Sequence, residues 1–147
     1  MIALLLAIAI VTYRLTPLLL PKTQLAAVVD PGCDLTQRAC TARLADGSWL
    51  ELSFTPRPLP VQKPMQVEVS TTGITPTRVE IDFTGKDMNM GYNRSELAAV
   101  GPRRYVGDNA LPVCISGGMA WIVTVIIETD RQQIVVPFGF ETGPGLT

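Results

Sequence analysis

The side chains of this sequence best placed to do chemistry carry sulfur. The chain has three cysteines and five methionines but no histidine. Without imidazole there is no Ser-His or Cys-His catalysis, no histidine zinc site and no imidazole copper site. The sulfur gathers in two stretches, Gly85-Lys86-Asp87-Met88-Asn89-Met90-Gly91-Tyr92 and Leu111-Pro112-Val113-Cys114-Ile115-Ser116-Gly117-Gly118-Met119-Ala120-Trp121. Met88 and Met90 stand two apart, so on extended backbone their thioethers share a face, about 6.5–7 Å apart. Cys114 would add a thiolate and Met119 another thioether. Soft sulfur donors select Cu(I) and disfavour Cu(II) and harder ions. The candidate ligands are therefore Met88, Met90, Cys114 and Met119. Asn89 and Gly91 would shape the first loop, and Gly117 and Gly118 would let the second approach closely. Each sulfur also has a plainer explanation: methionines at alternating strand positions fill cores, and a lone cysteine packs as a small apolar residue.

Enzyme chemistry finds little else to use. The 13 acidic residues form no recognisable paired motif. Cys114 has no CxxC partner and no adjacent cation to lower its pKa, so a thiol-redox role is weakly supported. Cys33 and Cys40 enclose six residues, a loop that closes easily, and in an oxidising compartment they predict a disulfide with Cys114 left as a free thiol. A net charge of −1 and the lack of a basic run exclude a nucleic-acid partner.

The elements that must position these residues divide the chain into three. Residues 1–22 open with the apolar run MIALLLAIAIVT, broken by Arg14 and resumed at Leu18. The run is shorter than the roughly 20 residues of a full span, but with Arg14 snorkelling it nearly crosses a bilayer. No small-x-small cleavage site follows, which favours a retained membrane anchor over a cleaved signal. Arg14 and Lys22 follow the run, against the usual positive-inside order for an exported domain. Residues 23–40 read as a linker carrying the disulfide. Residues 41–142 read as strands: the hairpin signal Asp46-Gly47 joins Thr41–Ala45 to Ser48–Thr55. Further on, Met65, Val67 and Val69, then Val79, Ile81 and Phe83, then Ile134, Val136, Phe138 and Phe140 alternate with polar neighbours. A weaker strand covers 94–100, another 104–111, and Trp121–Thr129 is a nearly continuous apolar strand. Trp121 and Tyr105 are expected in the core, and Arg103-Arg104 in a solvated turn. Seven or eight short strands predict an all-β, immunoglobulin-like antiparallel β-sandwich behind an N-terminal membrane helix.

A family resemblance enters at these motifs. Asp87-Met88-Asn89-Met90-Gly91, then Gly101 and Tyr105, then Leu111-Pro112-Val113-Cys114 and Met119-Ala120-Trp121 resemble the YtkA-like family, related to FixH-type accessory proteins of bacterial respiratory oxidases. The resemblance covers roughly Val67 to Glu141. It implies an anchored sandwich on the cytoplasmic (inner) membrane, facing the periplasm or cell exterior. Its implied role is Cu(I) binding or delivery, with a respiratory oxidase or another copper protein as partner. The alternative is a metal-free accessory protein that assembles with a membrane complex.

Overall fold

A computed structural model describes residues 1–19, 23–60, 63–88, 91–111 and 118–143, with only the backbone of 17–19 and 23. One helix precedes eleven strands: α1 (Ile2–Leu19), β1 (Thr23–Leu25), β2 (Ala27–Val29), β3 (Cys40–Leu44), β4 (Trp49–Thr55), β5 (Met65–Thr72), β6 (Arg78–Gly85), β7 (Arg94–Glu96), β8 (Ala98–Gly101), β9 (Arg104–Asn109), β10 (Met119–Glu128) and β11 (Gln132–Thr142). They form two sheets, ordered β1-β11-β10-β6-β7 and β2-β3-β4-β5-β9-β8.

Alternation builds the interior. Leu50, Leu52 and Phe54 of β4 and Met65, Val67 and Val69 of β5 point inward from one sheet. Val79, Ile81 and Phe83 of β6, Trp121, Val123, Val125 and Ile127 of β10, and Ile134, Val136, Phe138 and Phe140 of β11 meet them from the other. Phe54 packs against Phe83 and Phe140, with ring centroids 5.9 and 5.6 Å apart. Trp121 is buried as expected, and Tyr105 is half-buried against the core.

Four expectations are corrected. The pairing is antiparallel except at β1, which runs parallel to β11 with Thr23 opposite Gln132. The stretch read as a linker supplies β1 and β2, strands too short to show a period in sequence. Arg103 occupies a turn with φ 64°, but Arg104 opens β9 and grips Glu68 of β5 through two hydrogen bonds of 2.8 Å. The N-terminal run that nearly crosses a bilayer by length forms the 18-residue helix α1, which rises about 27 Å. Among the described residues no helix is long and apolar enough to cross a membrane.

Both lateral edges are closed by a strand that changes sheets. β1 bonds to β11, and after Ala26 the chain continues as β2 on β3. On the other side β7 bonds to β6, and after Leu97 the chain continues as β8 on β9. Leu97 is buried between the layers and its amide donates to the Val79 carbonyl at 2.9 Å. It leaves no room at Gly107, where an added Cβ would lie 2.7 Å from Leu97 Cδ2. The Cys33–Cys40 disulfide, with Cα atoms 5.7 Å apart, pins the loop that drives Leu35 into the core. Inside that loop Asp34 Oδ1 accepts from the Thr36 amide at 2.9 Å and from its hydroxyl at 2.7 Å.

Leu97→Ala is expected to cost about 2–4 kcal/mol in denaturant unfolding, as for other buried leucines. Gly107→Ala should cost about 1–3 kcal/mol by overpacking. The two should add to less than their sum in the double variant, because the methyl enters the space the leucine leaves.

Glu68 gives an electrostatic expectation. The Arg104 guanidinium beside it holds its carboxyl below the usual carboxylate range. A depressed folded-state pKa contributes stability above the unfolded-state value and loses it as pH falls through the folded value. Both side chains are partly exposed, so solvent screens the pair and the contribution is small. Thermal melts from neutral pH into the acid range should show wild type losing more stability than Arg104→Gln. Parallel losses in the two proteins would remove this pair from the account.

Candidate functional site

The register of the central strands places the two sulfur-bearing stretches at one end of the sandwich. β10 pairs with β6 so that Trp121 faces Gly85, and the Lys86 amide donates to the Ala120 carbonyl at 2.9 Å just beyond that pair. The first stretch therefore leaves β6 where the second enters β10. This far end also holds the start of β5 at Met65 and the end of β9 at Asn109, which face one another. It includes the close of β11 at Thr142, opposite Met119. The opposite, entry end carries Thr23, the Asp46-Gly47 turn and the Asp130-Arg131 turn.

Of the predicted ligands, Met88 and Met119 are described, and both lie at this end. Met88 follows β6 in a bend and is half exposed. Met119 opens β10 on the same face as Trp121, half-buried against the core. Met90 and Cys114, with Asn89 and Gly117, lie outside the described residues. Gly91 takes φ 77°, a left-handed conformation that glycine adopts without a Cβ penalty. Tyr92 beside it is exposed.

Beneath Met119 the floor is aromatic and its polar atoms are matched. The Trp121 indole donates to Thr142 Oγ1 at 3.3 Å, and that hydroxyl donates to the Met119 carbonyl at 3.2 Å. Phe140 is the direct partner of Trp121 across the ladder. Asn109 Nδ2 donates to Ser95 Oγ at 3.2 Å and ties β9 to β7 across the two sheets. The rim thus stands on a rigid base that includes strands of both layers.

Among the described residues, no three Cys, Asp or Glu side chains gather to hold a metal. The carboxyls held below their usual range lie elsewhere: Asp46, through the Ser48 hydroxyl and then its amide, in the entry-end turn, and Glu68 on the outer face of β5. Both are structural pairings rather than cleft residues. Charge on the outer face of β6 and β7 is likewise paired, with Arg78 bridging Glu80 at 3.1 Å and Glu96 at 3.0 Å.

Sequence reading missed Asn109, Ser95 and Thr142 as supports of the rim. Their signal lies in strand pairing between distant segments, which single-chain periodicity does not carry. Exposure separates the roles of the two described methionines. Met88→Leu should shift stability by less than about 0.5 kcal/mol. Met119→Ala should cost about 1–2 kcal/mol in urea unfolding, because a thioether half-packed on the core leaves a void.

No family model, curated protein or solved structure matches this chain.

Proposed function

We propose that the domain is a membrane-tethered, extracytoplasmic module that binds one Cu(I) through sulfur at the far end of the sandwich and hands it to a partner. The carrying observation is the Lys86–Ala120 hydrogen bond. It joins the bases of the two stretches that hold Met88, Met90, Cys114 and Met119. With no histidine in the chain, a transition-metal site there rests on thioether and thiolate donors, a set suited to Cu(I). Half-exposed Met88 offers a donor at the surface, where a partner can reach it.

The strand order supports the immunoglobulin-like reading. β4-β5-β9-β8 follows the A-B-E-D order and β11-β10-β6 the G-F-C order of that fold, with β7 added beyond C. α1 supports tethering: Ile2, Leu4, Leu5, Leu6, Ile8 and Ile10 stay more than half exposed, and a helix apolar all round needs a nonaqueous environment. The Cys33–Cys40 disulfide supports an oxidising compartment. The acceptor would be a copper protein or respiratory oxidase in the same membrane. A metal-free assembly role for the same face is the competing account, favoured by the packing of Met119 on the core.

Titration of the reduced protein with Cu(I) against a competing chelator separates them. Wild type should bind one equivalent. Cys114→Ser should weaken binding most, and the Met88→Leu/Met90→Leu pair less, with folding retained because leucine keeps volume and apolarity. Equal binding by all three proteins, or binding no tighter than an unrelated methionine-containing control, would leave the metal-free role.

A further inference from the structure

From the length of the tether and the chemistry of one outer-sheet stripe, we infer that the sandwich lies against the membrane holding α1, through the outer face of β2, β3 and β4. The inference rests on the membrane-tether part of the proposed function and not on copper.

Residues 20–22 separate the end of α1 at Leu19 from the start of β1 at Thr23. Four peptide steps reach at most about 14 Å. A helix held in a bilayer therefore keeps the entry end of the sandwich within the headgroup layer or just above it. Near that end, Val28 of β2 stands opposite Arg43 of β3, and Arg43 stands opposite Trp49 of β4. All three project away from the core, since their neighbours Ala42, Leu44 and Leu50 are buried.

The stripe has the chemistry of an interfacial contact. Val28 is 74% exposed, a large apolar side chain that none of the described residues covers. Trp49 is half-buried on the same face. Arg43 has no carboxylate partner among the described residues, whereas Arg38 in the loop before β3 and Arg104 of β9 are paired with Asp30 and Glu68. A shallow groove beside Arg43 is lined by Val28, Val29, Asp30, Pro31 and Thr41. Asp30 in that groove is committed to Arg38 at 3.3 Å. Glu51 lies farther from the entry end, opposite Thr41. Tryptophan and arginine at headgroup depth, with an aliphatic side chain dipping below them, form a lipid-surface contact, and the guanidinium matches an anionic phosphate.

The two tryptophans make this measurable, because Trp121 is buried and Trp49 lies on the stripe. The full chain is reconstituted into vesicles of phosphatidylcholine and phosphatidylglycerol with brominated acyl chains. Trp49 emission, isolated in Trp121→Phe or as the difference between wild type and Trp49→Phe, should be quenched, and Trp121 emission should not. Arg43→Gln should lower the docked-to-free ratio about five-fold, equivalent to about 1 kcal/mol for one arginine at an anionic surface. Val28→Asp should also relieve quenching. Vesicle flotation runs in parallel. A chain that floats with the vesicles while Trp49 stays unquenched overturns the docking and leaves the tether standing. A chain that does not float overturns both.

Discussion

The register between β6 and β10 is the constraint on which the far end depends. β10 is bonded on both sides, to β6 and to β11, and its inward residues run Trp121, Val123, Val125 and Ile127. Side chains alternate with a period of two, so a slip of one residue would send this whole set to solvent and bring Ile122 and Thr124 inside. Burial therefore fixes the register, and the register fixes where the chain leaves β6 and enters β10. The sulfur-bearing stretches share an end because a hydrophobic ladder some 30 Å long, set by the ten residues of β10, permits no other alignment.

The edges solve a second problem. An open sheet edge exposes unpaired amides and carbonyls to other chains. Here the sheet-changing segments β1–β2 and β7–β8 wrap the two sides of the sandwich, with Leu97 plugging one side and the disulfide-pinned Leu35 closing over the interior. Small residues at Gly107 and a paired Asn109–Ser95 contact let the layers meet closely beside Leu97. The sandwich thus holds the rim from several strands at once.

Much of this was legible in the sequence where the period was long enough to read. Met65–Val69, Val79–Phe83 and Ile134–Phe140 alternate plainly, and each became a strand with its apolar face inward. The disulfide was legible because two cysteines with six residues between them enclose a loop that closes easily. The three-residue strands β1 and β2 were not, since so few positions carry no period, and the parallel pairing of β1 with β11 depends on segments more than a hundred residues apart. The weak strand read over 94–100 is in fact two, β7 and β8, on different sheets. Leu97 sits in the sequence Arg-Ser-Glu-Leu-Ala-Ala-Val, where nothing local marks it as the residue that changes sheets. For the candidate site, residue type pointed to Met88 and Met119, while their shared end follows from strand pairing alone.

Under the proposed function, one end of the sandwich would rest on a membrane and the other would present soft donors, with the β-core between them. A partner would meet the sulfur rim away from the lipid, on the side where Met88 and Tyr92 are exposed. Copper K-edge X-ray absorption of the Cu(I)-loaded protein tests the central claim most directly. The account predicts a first shell of sulfur alone, with one scatterer lost in Cys114→Ser. A shell of oxygen or nitrogen, or a spectrum unchanged by that substitution, would contradict it.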